Sequence, residues 1–161
     1  MLGDFNAYLS SRPNAPVHSL EEVLASGKYH PTLEVLLTRS QGIETRDTKE
    51  YLQRIVNRNI LREMIQKAMA DNRVDALAYP TIQRKAKPIG EPQLDDNCRL
   101  SSQSGLPAIS VPGGFTPDGL PVGLELLGRA WSEPQLIRVA YAYEQATHHR
   151  HPPASTPPLS R

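Results

Sequence analysis

The chain has 161 residues, of which 39% are hydrophobic and 22% charged, a composition typical of one folded domain of ordinary size. Its formal net charge of +1 gives no electrostatic basis for binding nucleic acid or an anionic membrane. No apolar run approaches the roughly 18 residues that span a bilayer, and the first ten residues lack the pattern of a secretory signal. A single cysteine, Cys98, excludes an intramolecular disulfide, so we expect a cytoplasmic protein.

The N-terminal third is predicted to be irregular at first and helical afterwards. Residues 1–18 contain two prolines that break a helix. Ser19 and Glu22 have the spacing of a capping box, in which each side chain satisfies a free amide at the start of a helix. Gly27 ends that helix. The apolar residues of 33–37 predict a further helical turn after a proline.

The longest helix is predicted over residues 48–71, with Asp47 and Glu50 as its cap. Apolar residues recur there every three or four positions, which places them on one broad face, and basic residues lie mainly opposite. The basic residues raise nucleic-acid binding as one interpretation. Because Glu50 and Glu63 interleave with them, the sequence favours a solvated outer face. The apolar set is Tyr51, Leu52, Ile55, Val56, Ile60, Met64, Ile65, Ala68 and Met69, and the basic set is Arg54, Arg58, Arg62 and Lys67.

Three short apolar runs predict β-strands at residues 74–79, 107–112 and 122–127. Pro80 ends the first run, and prolines bound the second at strand ends, where no ladder hydrogen bond is lost. The Pro-Asp-Gly sequence at 117–119 has turn chemistry, so the second and third strands are expected to pair as neighbours. Residues 81–96 are polar and predict a loop. The order of helix, strand, loop, strand, strand and helix predicts an α/β fold with a sandwich-like layer.

A final helix is predicted to start at Ser132, with Gln135 at capping-box distance and Pro134 in the first turn. Three strands and two well-formed helices make a thin core, and strands two and three would leave open edges. We therefore expect the chain to pair with itself, by exchanging a strand or a helix, or to be part of a larger sheet. The apolar face of this helix comprises Leu136, Ile137, Ala140 and Tyr143.

Reactive side chains give no complete catalytic or metal site. His148, His149 and His151 lie close together, but no cysteine or carboxylate accompanies them in sequence, so no metal is predicted. Cys98 stands alone without a nucleophile signature, which favours a packing or surface thiol. The serine-rich stretch 101–105 has no neighbouring base to activate a hydroxyl, and it is interpreted as a polar loop or helix end.

Short motifs rich in glycine and proline follow one another in the second half of the chain. They are Asp75-Ala76-Leu77, Tyr79-Pro80-Thr81, the run from Gly105 to Gly114, the run from Gly119 to Arg129, and a helix that Glu133 opens. In this order they resemble the C-terminal part of the amidase-signature family. That family includes bacterial amidases and the glutamyl-tRNA amidotransferases.

The resemblance implies a longer protein in which short strands of a mixed sheet are covered by helices. Members of the family use a serine nucleophile, a second serine in a cis peptide and a lysine base, all in motifs upstream of the matching region. Lys85 and Lys87 are not at the family position, and residues 101–105 lack the Gly-Ser-rich pattern, so no catalytic residue is assigned. Looser similarity at residues 5–9 and 19–22 extends the resemblance over nearly the whole chain.

The resemblance also implies which residues approach a substrate. In the family, the loop after the first strand and the segment that corresponds to the residues before Gly105 approach the acyl pocket. Groups of this kind orient a substrate, and the upstream half supplies the attack and the oxyanion donors. No cofactor is implied. The implied pocket residues are Tyr79, Pro80, Thr81, Asn97, Ser101 and Gln103.

Two functions follow as hypotheses. The first is the C-terminal part of an amidase acting on carbon–nitrogen bonds of linear amides, inactive alone, with the N-terminal half as its partner and a small amide as substrate. The alternative is a non-catalytic interaction module that self-associates through its open sheet edge. A complete small enzyme is disfavoured because the signature is missing. Residues 1–150 are expected to act as one unit, and the Pro-rich residues 151–161 as a disordered tail.

Overall fold

The computed structural model describes residues 2–43, 45–153 and 155–156 and divides the chain into two compact units. The first unit is Met1–Arg54 and the second Ile55–Arg161, so the boundary falls within one long helix. No helix in the described part of the chain is long and apolar enough to cross a membrane. The predicted disordered tail lies partly outside the described residues, at 154 and 157–161.

Residues Leu2–Ser10 form the first helix, α1. The prediction of an irregular segment over residues 1–18 is wrong here, because both prolines lie beyond Ser10 and therefore follow the helix instead of interrupting it. The side-chain oxygen of Asn6 accepts a hydrogen bond from the Leu20 amide at 2.9 Å. Two further helices complete the first unit, α2 (Leu20–Ser26) and α3 (Glu34–Gln41), and the 3-10 turn Pro31–Leu33 leads into α3.

The ends of α2 confirm the predicted capping residues. The Ser19 hydroxyl accepts a hydrogen bond from the Glu22 amide at 3.1 Å. The Glu22 carboxylate accepts the amide of His18 at 2.8 Å, one residue earlier than in the standard capping box. Gly27 adopts a left-handed conformation with φ of 63° and ends the helix.

The long helix α4 spans Lys49–Asp71, close to the predicted bounds. Its first turn is capped by Thr48, whose hydroxyl accepts the Tyr51 amide at 3.1 Å, and not by Asp47 as the sequence suggested. Of the predicted apolar face, only Ile65 and Met69 are buried.

Two arginines on the exposed face of α4 also bind the backbone of a neighbouring short helix. Arg58 donates hydrogen bonds to the backbone carbonyls of Ser102 and Gln103 at 3.0 and 3.1 Å. Arg62 donates to the carbonyl of Ser104 at 2.6 Å. These carbonyls belong to the last turn of a short helix, where backbone acceptors lack partners and attract a cation. Both arginines are exposed, as the predicted solvated face requires, and they also anchor the end of this short helix.

That short helix, α5, spans Arg99–Ser104 and follows the polar loop. It gives the serine-rich stretch the helical end that was one of its two interpretations. The helix stops at Gly105, which has φ of 68°. A Cβ atom there would lie 2.8 Å from the guanidinium of Arg62, so both the backbone angle and the packing favour glycine.

Three strands form one antiparallel sheet in the order β1-β3-β2. The predicted pairing of the second and third strands is confirmed. However, β3 lies in the centre, so the edges are formed by β1 and β2 and not by the second and third strands. A β-bulge between Pro112 and Gly114 interrupts the register of β2. The strands are β1 (Ala76–Pro80), β2 (Ala108–Phe115) and β3 (Pro121–Gly128).

Alternating residues of β3 are buried against different layers of the second unit. Leu127 packs with Ile65 and Met69 of α4. Its neighbour Leu126 points to the opposite face and packs with Leu136. The sheet is therefore covered by helices on both faces, as predicted for the fold class.

The last helix, α6, spans Glu133–Thr147 and contributes Leu136 and Ala140 to the core. The predicted start is confirmed, but Ser132 does not cap an amide, because its hydroxyl donates to the Arg129 carbonyl at 2.7 Å. Ile137, predicted on the apolar face, is 59% exposed.

Candidate functional site

A row of three polar side chains crosses the sheet at one level. Tyr79 of β1 and Ser110 of β2 both stand opposite Glu125 of the central strand β3. Directly opposed residues on neighbouring strands project to the same face, so the three side chains meet. We call Tyr79, Ser110 and Glu125 the polar row.

Glu125 is the buried centre of the polar row, with only 5% of its surface exposed. Its carboxylate accepts hydrogen bonds from the Tyr79 hydroxyl at 2.8 Å and, over a longer 3.4 Å, from the Ser110 hydroxyl. No lysine or arginine among the described residues forms an ion pair with it. A buried carboxylate needs partners, and here neutral hydroxyls supply them.

Tyr79 is held as a hydrogen-bond donor. Burial raises the pKa of its phenol well above the usual value, and the hydrogen bond to Glu125 raises it further. Both effects disfavour a phenolate beside a carboxylate. The phenol of Tyr79 therefore keeps its proton and donates a hydrogen bond to Glu125.

Thr81 extends the polar row toward the end of the sheet. Its amide donates to the carbonyl of Gly123 at 3.0 Å, and its hydroxyl donates to Ser110 Oγ at 3.4 Å. A Cβ atom on Gly123 would lie only 2.7 Å from Thr81 Oγ1. Glycine at position 123 thus leaves the space that the Thr81 side chain occupies.

Asn97 fixes the chain where β1 ends. Its side-chain amide donates to the Pro80 carbonyl at 2.6 Å, and its backbone amide donates to the Thr81 carbonyl at 3.0 Å. Its side-chain oxygen accepts a hydrogen bond from Gln83 at 3.0 Å. Asn97 therefore positions Pro80 and Thr81.

A cavity of about 670 Å³ opens beside Thr81 and Ser110. Its walls come from residues 80–86, most of 110–116, residues 121–123 and residues 149–151. Val111, Phe115 and Val122 contribute apolar surface, as is usual for a small-molecule site with a few polar groups. The His151 ring lies 5.5 Å from the Phe115 ring, between centroids.

Charged side chains at this cavity are paired in part. The Lys85 ammonium lies 2.6 Å from the Asp118 carboxylate, and Arg84 pairs with Asp95. The Lys85 contact lowers the pKa of Asp118 to about 2.

The six predicted pocket residues fall into three groups. Pro80 and Thr81 line the cavity, and Tyr79 and Asn97 support its wall. Ser101 lines a separate cavity of about 470 Å³, and the Gln103 carbonyl accepts a hydrogen bond from Arg58. The structure therefore brings four of the six together and places the two residues of α5 elsewhere.

Sequence reasoning missed Ser110 and Glu125. Each is a polar residue inside an apolar strand run, at positions 107–112 and 122–127. A buried polar side chain within a strand needs a partner, and this was the available signal.

Ser101, Ser104 and Cys98 are not hydrogen-bonded to a histidine or lysine side chain in the described part of the chain. Ser104 is fully buried and donates to the Leu100 carbonyl at 2.5 Å, and Ser101 donates to the Cys98 carbonyl at 3.4 Å. The Asp96 carboxylate raises the pKa of the Cys98 thiol, which disfavours the reactive thiolate. Within the described ranges, no group of three or more metal-binding side chains is placed to hold an ion.

Comparison with known proteins identifies a family and several sequence relatives. The family model described as Amidase matches residues 6–137. The A subunit of the glutamyl-tRNA(Gln) amidotransferase of Methanosarcina barkeri is 37% identical over 116 residues, which cover 65% of this chain and 24% of that protein. Its counterpart in Brevibacillus brevis is 44% identical over 79 residues, covering 44% of this chain and 16% of that protein.

Solved structures agree with the sequence matches. The native peptide amidase from Stenotrophomonas maltophilia superimposes with a TM-score of 0.81 and 33% identity, over 94% of this chain and 32% of that one. The matches therefore span between about a sixth and a third of the length of these relatives. Because the family model covers most of its residues, the chain belongs to the amidase family.

Proposed function

We propose that this chain is the C-terminal part of an amidase that hydrolyses the carbon–nitrogen bond of a small linear amide, and that it is inactive alone. The observation that carries the proposal is the family match over residues 6–137 on a chain of one third of an amidase's length. No serine side chain in the described part of the chain is hydrogen-bonded to a histidine or lysine side chain. A serine hydroxyl without a base is a weak nucleophile.

In this proposal the chain contributes one wall of the substrate pocket. The cavity beside Thr81 and Ser110 holds the body of the amide against Val111, Phe115 and Val122. The rest of the amidase supplies the nucleophile, its base and the oxyanion donors. Positioning and electrostatic stabilisation then come from different parts of one active site. Residues 1–150 together form the C-terminal part.

An exposed apolar surface on α4 supports the proposal that another polypeptide segment covers this helix. Four of its apolar residues within the second unit are substantially exposed, and three of them, Val56, Ile60 and Met64, lie away from the side that packs under the sheet. A helix with apolar residues on both sides is expected to be covered on both. The N-terminal part of an amidase is the occupant we propose. The exposed residues are Ile55, Val56, Ile60 and Met64.

The same surface favours a second candidate function, a self-associating module. A second copy of the chain would cover the α4 surface in place of the missing part of an amidase. Light scattering at micromolar concentration distinguishes the two. A monomer that becomes a stable complex only with the rest of an amidase supports the first function, and a stable homodimer that excludes it supports the second.

Treatment with a broad fluorophosphonate probe tests whether the chain carries a working serine nucleophile. We expect the intact mass of the purified chain to stay unchanged, because no described serine side chain is hydrogen-bonded to a histidine or lysine side chain. A serine hydrolase of known activity, labelled in parallel, confirms that the probe is reactive. Stoichiometric labelling of one serine would contradict the proposal and would identify a catalytic site within this chain.

A further inference from the structure

The hydrogen bonds of the polar row have a direction. The two side-chain oxygens of Glu125 accept one hydrogen bond from Tyr79 and one from Ser110. Ser110 has then used its proton, and its oxygen accepts the hydroxyl of Thr81. Thr81 has in turn used its own proton. At the cavity wall its oxygen is left with lone pairs and no hydrogen to donate.

We propose that Glu125 sets the ligand specificity of the cavity by fixing Thr81 Oγ1 as an acceptor for an N–H group of the bound ligand. The inference rests on the proposed function, because it takes this cavity to be the substrate pocket. The inference adds individual roles to that function. Thr81 contacts the ligand, and Ser110 and Glu125 are positioning residues.

The apolar walls define the rest of the ligand. Val111, Phe115 and Val122 line the cavity beside the Thr81 oxygen. A primary amide on an aromatic or branched aliphatic body satisfies both surfaces, with its N–H toward Thr81. An ester of the same shape offers only acceptors to an oxygen that is itself an acceptor, and an unpaired polar contact of this kind costs affinity.

Substitution of Glu125 by glutamine should reverse the direction of the hydrogen bonds that link residue 125, Ser110 and Thr81. The Tyr79 hydroxyl still donates to the side-chain oxygen, so the new NH₂ group faces Ser110. Ser110 then accepts, donates its own proton to Thr81, and Thr81 donates into the cavity. Glu125→Gln is therefore expected to remove the preference for a ligand with an N–H group, because amides and esters both offer a carbonyl oxygen to a donor.

The test uses the whole chain and two probes of similar shape, benzamide and methyl benzoate. Their dissociation constants are measured by ¹H–¹⁵N NMR titration. We expect the native chain to bind benzamide at least about fivefold more tightly than methyl benzoate, the effect of one net hydrogen bond. Thr81→Val and Glu125→Gln should each remove this preference, since both probes offer a carbonyl oxygen to a donor. Ser102→Ala, outside the cavity, is the matched control and should keep the native preference.

Each outcome decides the proposal. Equal binding of both probes by the native chain, binding of neither, or an unchanged preference in folded Glu125→Gln would overturn it. Failure of the amidase proposal looks different: the chain would discriminate between the probes, yet its mixture with the rest of an amidase would hydrolyse no amide. An active mixture whose Thr81→Val and Glu125→Gln forms keep the native preference would remove only the specificity proposal.

Discussion

Leu127→Ala is expected to lower the free energy of unfolding of the second unit by about 2–5 kcal/mol. Leu127 is fully buried on the central strand and packs with Ile65, Met69 and Leu106. Removing its branched end loses apolar burial and leaves a cavity, since a strand held by neighbours on both sides cannot move in to fill it.

Urea denaturation followed by circular dichroism measures this change. Leu94→Ala is the matched control, because the same side chain is removed from a position that is 62% exposed. Its effect should stay within about 0.5 kcal/mol. Equal stability of the Leu127→Ala and Leu94→Ala variants would show that Leu127 is not at the centre of the core.

Glu125→Ala is expected to cost about 2–4 kcal/mol, from an unpaired Tyr79 hydroxyl and a new cavity. Glu125→Gln should cost only about 1 kcal/mol, because its side-chain oxygen still accepts from Tyr79. The difference between these two substitutions separates loss of the hydrogen bond from loss of the charge.

A double-mutant cycle of Tyr79→Phe and Glu125→Ala isolates the hydrogen bond between Tyr79 and Glu125. We expect a coupling free energy of about 1 kcal/mol between Tyr79 and Glu125, since the hydroxyl and the carboxylate lie 2.8 Å apart. Additive effects of Tyr79→Phe and Glu125→Ala would mean that the polar row does not form in solution.

The helices and strands follow from local signals in the sequence. Ser19 and Gly27 bound α2 because a side-chain oxygen caps the first amides and only glycine readily adopts the left-handed end. The apolar runs at 107–112 and 122–127 locate β2 and β3 within a few residues. These signals act over one or two helical turns, so the sequence displays them directly.

The faces of α4 do not follow from periodicity alone. The predicted apolar set contains both buried Met69 and exposed Met64. Apolar residues occur around most of the helix, so the pattern does not show which side packs under the sheet. The roles of Arg58 and Arg62 depend on the position of α5, some 40 residues later in the chain.

Only part of the candidate site could be predicted, because the rest depends on contacts between distant parts of the chain. Tyr79 and Thr81 could be named from the family motif, because they are adjacent to a recognisable strand. Ser110 and Glu125 join them only through strand register, which pairs positions separated by 15 to 46 residues. A shift of one residue would turn Glu125 to the other face of the sheet, and the sequence does not specify that register.

The most direct test of the central claim is amide hydrolysis by the purified chain, alone and mixed with the part of the Stenotrophomonas maltophilia peptide amidase that it does not match. Release of ammonia from a panel of primary amides is measured, with the unmatched part alone as the control. We predict no turnover by either polypeptide alone and turnover by the mixture, because the nucleophile and this pocket wall come together only there. Turnover by the chain alone, or an inactive mixture in which the two polypeptides form a stable complex, would contradict the proposal.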